Sequence, residues 1–157
     1  MAAATLTVMA NNTDPNNPSG TVVDRFADIE VLRYAVPGFD DLSLDQKKFI
    51  YYLNEAALAG RDILWDQNGR YNLAVRQLCE AIYTNYKGER RDPLFKAFET
   101  YLKQIEFGNG IHHHYSADKF VPGFSAEWMD AQVKALPAGL SKGVEHARDI
   151  YAKELSR

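Results

Sequence analysis

At 157 residues the chain has the length of one domain and can bury roughly 70% of the surface its unfolded form would expose. A formal net charge of −3, with 25% charged residues of both signs interspersed, supplies neither the basic footprint of a nucleic-acid binder nor a polybasic membrane patch. The single cysteine, Cys79, excludes an internal disulfide and a cysteine-rich zinc knuckle, and it suits the cytosol or the periplasm.

The chain opens with a short, weakly apolar run over 2–10, in which Val8-Met9-Ala10 has the small-x-small ending of a signal peptide but no basic start precedes it. A clipped export signal would place the protein in the periplasm or cell envelope; otherwise it is expected in the cytoplasm. No other stretch approaches the roughly 18 apolar residues of a membrane span. NNTDPNNPSG, residues 11–20, has turn formers and no large apolar side chain, so it cannot offset its own ordering entropy. Residues 1–24 are therefore expected as a disordered leader. Next, Ile29, Val31 and Arg33 alternate with Glu30, Leu32 and Tyr34 ahead of Pro37-Gly38, which predicts a short edge strand or extended wrap.

A first helix is expected from Ser43, which with Gln46 has capping-box spacing, while Asp45 suits the positive first turn. Phe49, Leu53, Ala56, Gly60 and Ile63 recur at helical spacing as its core face, and Asp66-Gln67-Asn68-Gly69 supplies the stop. A second helix from about Asn72 should bury Val75, Leu78, Cys79, Ile82 and Tyr86 and end at Gly88, pairing antiparallel with the first. Asp92-Pro93 starts a third, with Leu94, Phe98, Tyr101 and Ile105 as its stripe and Phe95 and Leu102 widening it. Ser125 caps a fourth holding Trp128, Met129 and Val133, broken at Pro137-Ala138-Gly139, and a fifth from Ser141 uses Val144, Ala147, Tyr151 and Leu155. The expected fold class is mostly α-helical, about five helices with one or two short strands or extended segments.

Between the third and fourth helices lies FGNGIHHHYSADKFVPG, residues 107–123. It is too polar for a core helix and too aromatic for a passive linker. Gly108, Asn109 and Gly110 can take positive φ at little steric cost and turn the chain out of the helix, and Pro122-Gly123 ends the segment. In an extended conformation, Ile111, His113 and Tyr115 would face one side and His112 and His114 the other.

FGNGIHHHY followed by KFVPGFS, with FADIEVLRYAVPGF, AGRDILWDQNGRYNL and YTNYKG upstream, resembles the N-terminal region of bacterial dipeptidyl peptidase III. The strings stand in the same order and cover 26–128. The resemblance implies a zinc-dependent metallopeptidase, an exopeptidase that removes dipeptides from peptide N-termini. In that family the zinc sits on HExxGH with a further glutamate from a second helix. Neither HExxH nor HExxGH occurs among His112, His113, His114 and His146. The reading is a helical N-terminal domain over 25–128, a divergent helical tail over 129–157, and no zinc or other cofactor held by this chain. Alone it is expected to be inactive, meeting peptide substrate only together with the missing catalytic lobe. The alternative is a non-catalytic helical module that binds peptide or protein.

For metal chemistry, His112 and His114 on one strand face would give two ligands where a catalytic zinc needs three protein ligands, and Glu106 and Asp118 have no diagnostic spacing. No metal residues and no catalytic residues are assigned. Cys79 falls on an apolar helix face, where a thiol is inert packing, and Ser116 and Ser125 near histidines in sequence do not make a triad. Arg61, Arg70 and Arg76 are expected to be solvated or paired with Asp62 and Asp66. Substrate-binding candidates are Asn109, His113, His114 and Tyr115, donors and acceptors suited to a peptide backbone. Phe120, Val121, Phe124 and Trp128 are expected to leave an apolar patch uncovered and to drive self-association, unless the tail folds over it.

Overall fold

The computed structural model describes residues 21–156; the signal-like stretch and most of the expected leader lie outside them. The described residues fall into two compact units, divided after Leu42. The first holds an antiparallel hairpin, β1 (Val22–Phe26) and β2 (Ile29–Leu32), in the register Arg25 with Glu30 and Phe26 with Ile29. Ala27 turns the hairpin at φ 49°. The strand expected around Ile29 and Val31 is present, and Ile29 is buried. Its partner begins at Val22, inside the stretch assigned to the leader, because Val22, Val23 and Phe26 have the branched and aromatic side chains that suit a pleated surface.

The second unit holds six α-helices and is mostly helical, as the patterning predicts: α1 (Leu44–Ala59), α2 (Arg61–Asn68), α3 (Asn72–Asn85), α4 (Pro93–Gly108), α5 (Ala126–Ala135) and α6 (Lys142–Ile150), closed by a π-helical turn, Tyr151–Leu155. The expected caps form. The Ser43 hydroxyl accepts from the Gln46 N–H and the Gln46 side chain accepts from the Ser43 N–H at 2.9 Å. Asp92 accepts from the N–H groups of Leu94 and Phe95, Ser125 from Trp128 and Ser141 from Val144, each serving orphan donors of a first turn. α1 and α2, expected as one helix, part at Gly60, whose ψ of 0° leaves the helical well; glycine is the residue least able to hold a helix interior.

The core is built on α3. Leu78, Cys79 and Ile82 of α3 join Phe95, Phe98 and Ile105 of α4, Trp65 of α2, Val133 of α5 and Ala147 of α6 in one buried cluster. Phe95 is central to it, stacked on Tyr86 with ring centroids 4.2 Å apart, whereas Leu94 is exposed. The tail is part of this core: α3 packs more extensively on α6 than on any other element, and Leu136 and Ala147 are buried. The patch expected at the far end of the histidine segment is largely covered, since Phe120 is buried and Phe124 and Trp128 pack partly buried against the core, while Val121 stays exposed.

α1 is the departure from expectation. It buries none of its own residues. Phe49, Leu53 and Ile63, expected as a core face, are exposed by 64%, 54% and 60%, and α3 finds its neighbours in α6, α2, α4 and α5 rather than in α1. Helical spacing establishes that a face is apolar; burial needs a second surface opposite it, and among the described residues of its unit α1 packs most extensively on the short α2. In urea unfolding, Leu78→Ala is expected to cost about 2–5 kcal/mol, while Leu53→Ala changes the stability of this chain by no more than about 0.5 kcal/mol. Equal losses at the two sites would show that α1 is covered in solution.

Candidate functional site

α4 delivers the chain into the histidine segment through a left-handed cap, Asn109 at φ 50°, ψ 39°, and the Gly110 N–H donates back to the Ile105 carbonyl at 3.0 Å. From there the chain doubles back tightly instead of running extended. His112 pairs with Lys119 in an isolated antiparallel bridge, the His113 N–H donates to the Asp118 carbonyl at 2.8 Å, and the Phe120 N–H to the Ile111 carbonyl at 2.9 Å. The tip is closed by the Ser116 N–H on the His113 carbonyl, by Ser116 Oγ donating to Asp118, and by the Tyr115 N–H donating to His113 Nδ1 at 3.2 Å. That last bond occupies the Nδ1 lone pair and leaves the proton of a neutral His113 ring on Nε2.

The alternation of side chains expected along this segment does not occur, because the turn interrupts the pleat after His112. The His113 and His114 rings lie 4.4 Å apart, and His112, His113 and His114 all line one cavity of about 400 Å³ with Asn68, Asn72 and Ala117. Two of the four candidate binding residues, His113 and His114, thus stand together on its wall. Asn109 is the cap, off the wall, with its carbonyl accepting from Asn68 Nδ2. Tyr115 is 87% exposed and off the wall as well, its ring 4.0 Å from that of His114.

Asn72 is the residue that sequence reasoning missed. It is buried, and its Oδ1 accepts from the Ile111 N–H at 3.4 Å, tying the histidine segment to the start of α3. Its Nδ2 is buried without a partner among the described residues, wedged where a Cβ on Gly110 would come within 2.3 Å of it and one on Gly69 within 2.9 Å. Two glycines therefore clear the space for one amide. The available signal was the pairing of Asn72 with Gly69 three residues before it.

Beside the segment, α2, α3 and α4 bring five charges together. Arg61 pairs with Glu106; Arg76 pairs with Asp62 at 2.7 Å and stands 3.3 Å from Glu80, with its guanidinium over the Trp65 ring. Arg61 takes Glu106, not the expected Asp62 or Asp66, and Arg70 lies over Tyr71. Three carboxylates face two guanidiniums. Burial, then the neighbouring Glu80, pushes the Glu106 carboxyl above its ordinary value, against the pull of Arg61 and Arg76.

No group of three or more His, Cys, Asp or Glu among the described residues is placed to hold a metal ion, so the side chains present do not fit the zinc that the resemblance implies. Cys79 is buried and its thiol is pushed up to about 12 by burial, a poor nucleophile. Ser116 is engaged with Asp118 and Ser125 with its helix. What the segment offers chemically is imidazole donors and acceptors along a concave wall, able to hold polar groups of a ligand. No protein-family model and no curated protein matches the chain.

Gly110→Ala is expected to destabilise by about 1–3 kcal/mol, and the double variant with Asn72→Ala by less than the sum of the two single changes; urea unfolding of the four proteins measures the coupling, and strict additivity would refute the wedge. Glu106 gives rise to a pH effect. A carboxyl with a raised folded-state pKa binds its proton more tightly when folded, so its contribution is complete below the unfolded value of about 4.5 and is lost as pH rises through the folded value. Relative to Glu106→Gln, the wild-type chain should therefore lose stability between pH 4.5 and pH 7, read from urea midpoints at the two pH values.

Proposed function

We propose that this chain is the N-terminal helical part of a dipeptidyl-peptidase-III-like zinc exopeptidase, contributing a peptide-facing wall to a catalytic lobe that carries the metal. The observation that carries this reading is α1. α1 carries Phe49, Ile50, Tyr51, Tyr52, Leu53 and Leu58 all exposed, a concentration of apolar surface of the kind that marks a partner interface. A second lobe of a larger peptidase is such a partner. The ordered strings shared with that family, and the three histidines on one cavity wall, support the same reading. The histidines act here as hydrogen-bonding groups toward a peptide backbone, and the zinc belongs to residues outside this chain.

The purified chain is expected to release no dipeptide from a dipeptidyl arylamide. Adding the HExxGH-bearing lobe of a bacterial dipeptidyl peptidase III should give association by sedimentation and arylamide hydrolysis that neither part has alone, and Leu53→Glu with Phe49→Glu should abolish both. A monomer at high concentration that ignores the lobe yet binds peptides through the histidine wall would favour the independent binding module instead.

A further inference from the structure

An apolar hollow of the second unit has no histidine on its wall, although Ile111, the neighbour of His112, lines it. Val75, Leu78 and Cys79 of α3, Tyr101 of α4, Phe124 and Met129 form much of the wall of a half-open cavity of about 330 Å³, and Tyr151 and Leu155 of the π-helical turn complete it. A water here would need two to four polar partners, and the wall has few to spare: the Ser125 hydroxyl caps α5 and the Tyr151 hydroxyl donates to Asp130 Oδ1. π turns are frequent at functional sites. This one sets two of its side chains, Tyr151 and Leu155, on the cavity wall.

From this cavity we infer that the protein binds a small uncharged apolar molecule, an alkyl chain or fused aromatic ring carrying at most one hydrogen-bonding group, against Met129, Phe124 and the closing turn. Apolar cavities of about 150 Å³ take up benzene, so one of twice that size suits a two-ring aromatic or a chain of about eight to ten carbons. The charge requirement comes from the wall. Among the described residues no lysine, arginine or histidine lines it, and its ionisable groups stay neutral: burial raises the Cys79 thiol to about 12 and raises Tyr101 and Tyr151 above the usual phenol range. A carboxylate or ammonium group would be desolvated there with nothing opposite it. The one polar handle is the Tyr101 hydroxyl, which has no hydrogen-bond partner among the described residues.

The site reports on itself, because among the described residues Met129 is the one methionine and it lines the cavity. With methionine-methyl-labelled full chain, octan-1-ol is expected to shift the Met129 signal saturably, and octanoate to bind at least about tenfold more weakly. Ala126, exposed on the cavity rim, can be enlarged without disturbing the core: Ala126→Trp should weaken octan-1-ol binding at least about tenfold with Tm unchanged. Phe49→Glu, on the uncovered α1, should leave it unaffected. A Met129 signal that does not saturate, octanoate binding as well as octan-1-ol, or full binding by Ala126→Trp would each overturn the inference. Loss of binding in Phe49→Glu would also overturn it, placing the alcohol on α1.

Discussion

The second unit depends on how closely α6 lies against α3. Two small residues of α3, Ala74 and Ala81, are buried there, as is Ala147 of α6, and Gly143 opens α6 where a Cβ would come within 2.9 Å of the Gln77 amide. Small residues let two backbones approach, and the larger side chains of α3, Leu78 and Ile82, are then fully buried. With α6 in place, Arg148 reaches the carbonyls of Leu136 and Pro137 and pins the α5–α6 connection. Tyr151 bonds Asp130 of α5. The last helix is therefore structural, and the aromatic cluster of Phe95, Phe98, Phe124 and Trp128 packs on a scaffold that it completes.

Much of this was legible in the residues, and the limits have physical causes. Caps are local, so Ser43, Asp92, Ser125 and Ser141 could each be read from spacing alone. The stripes of α3 and α4 could be read because both faces are in fact covered. The same periodicity misled on α1, where nothing in the pattern says whether a partner exists. Gly60 was visible as one position of that helix's expected stripe; its role as the break between two helices depends on a backbone angle that composition does not encode.

The histidine segment was recognisable as special from its glycines, and its conformation was not. Alternation assumes a strand, whereas Ser116 and Asp118 bond each other's chain segment and fold the tip on itself, an outcome of short polar side chains competing with a ladder. Asn72 could be placed at the head of a helix but not against a segment nearly forty positions later. Such long-range wedges are set by three-dimensional closeness. The two glycines that accommodate it read, in sequence, only as turn formers.

The α3–α6 contact also bears on synthesis at the ribosome. α3 emerges early, while α6, the helix it packs on most extensively, lies far down the chain, and contacts of such sequence separation form late and slowly. During that interval α2 and α4 can shield part of α3, but the side facing α6 stays open. A nascent chain halted before Ala147 would carry an unfinished core, the kind of surface that chaperones hold. Translation speed through α5 and α6 thus sets how long the growing polypeptide remains vulnerable.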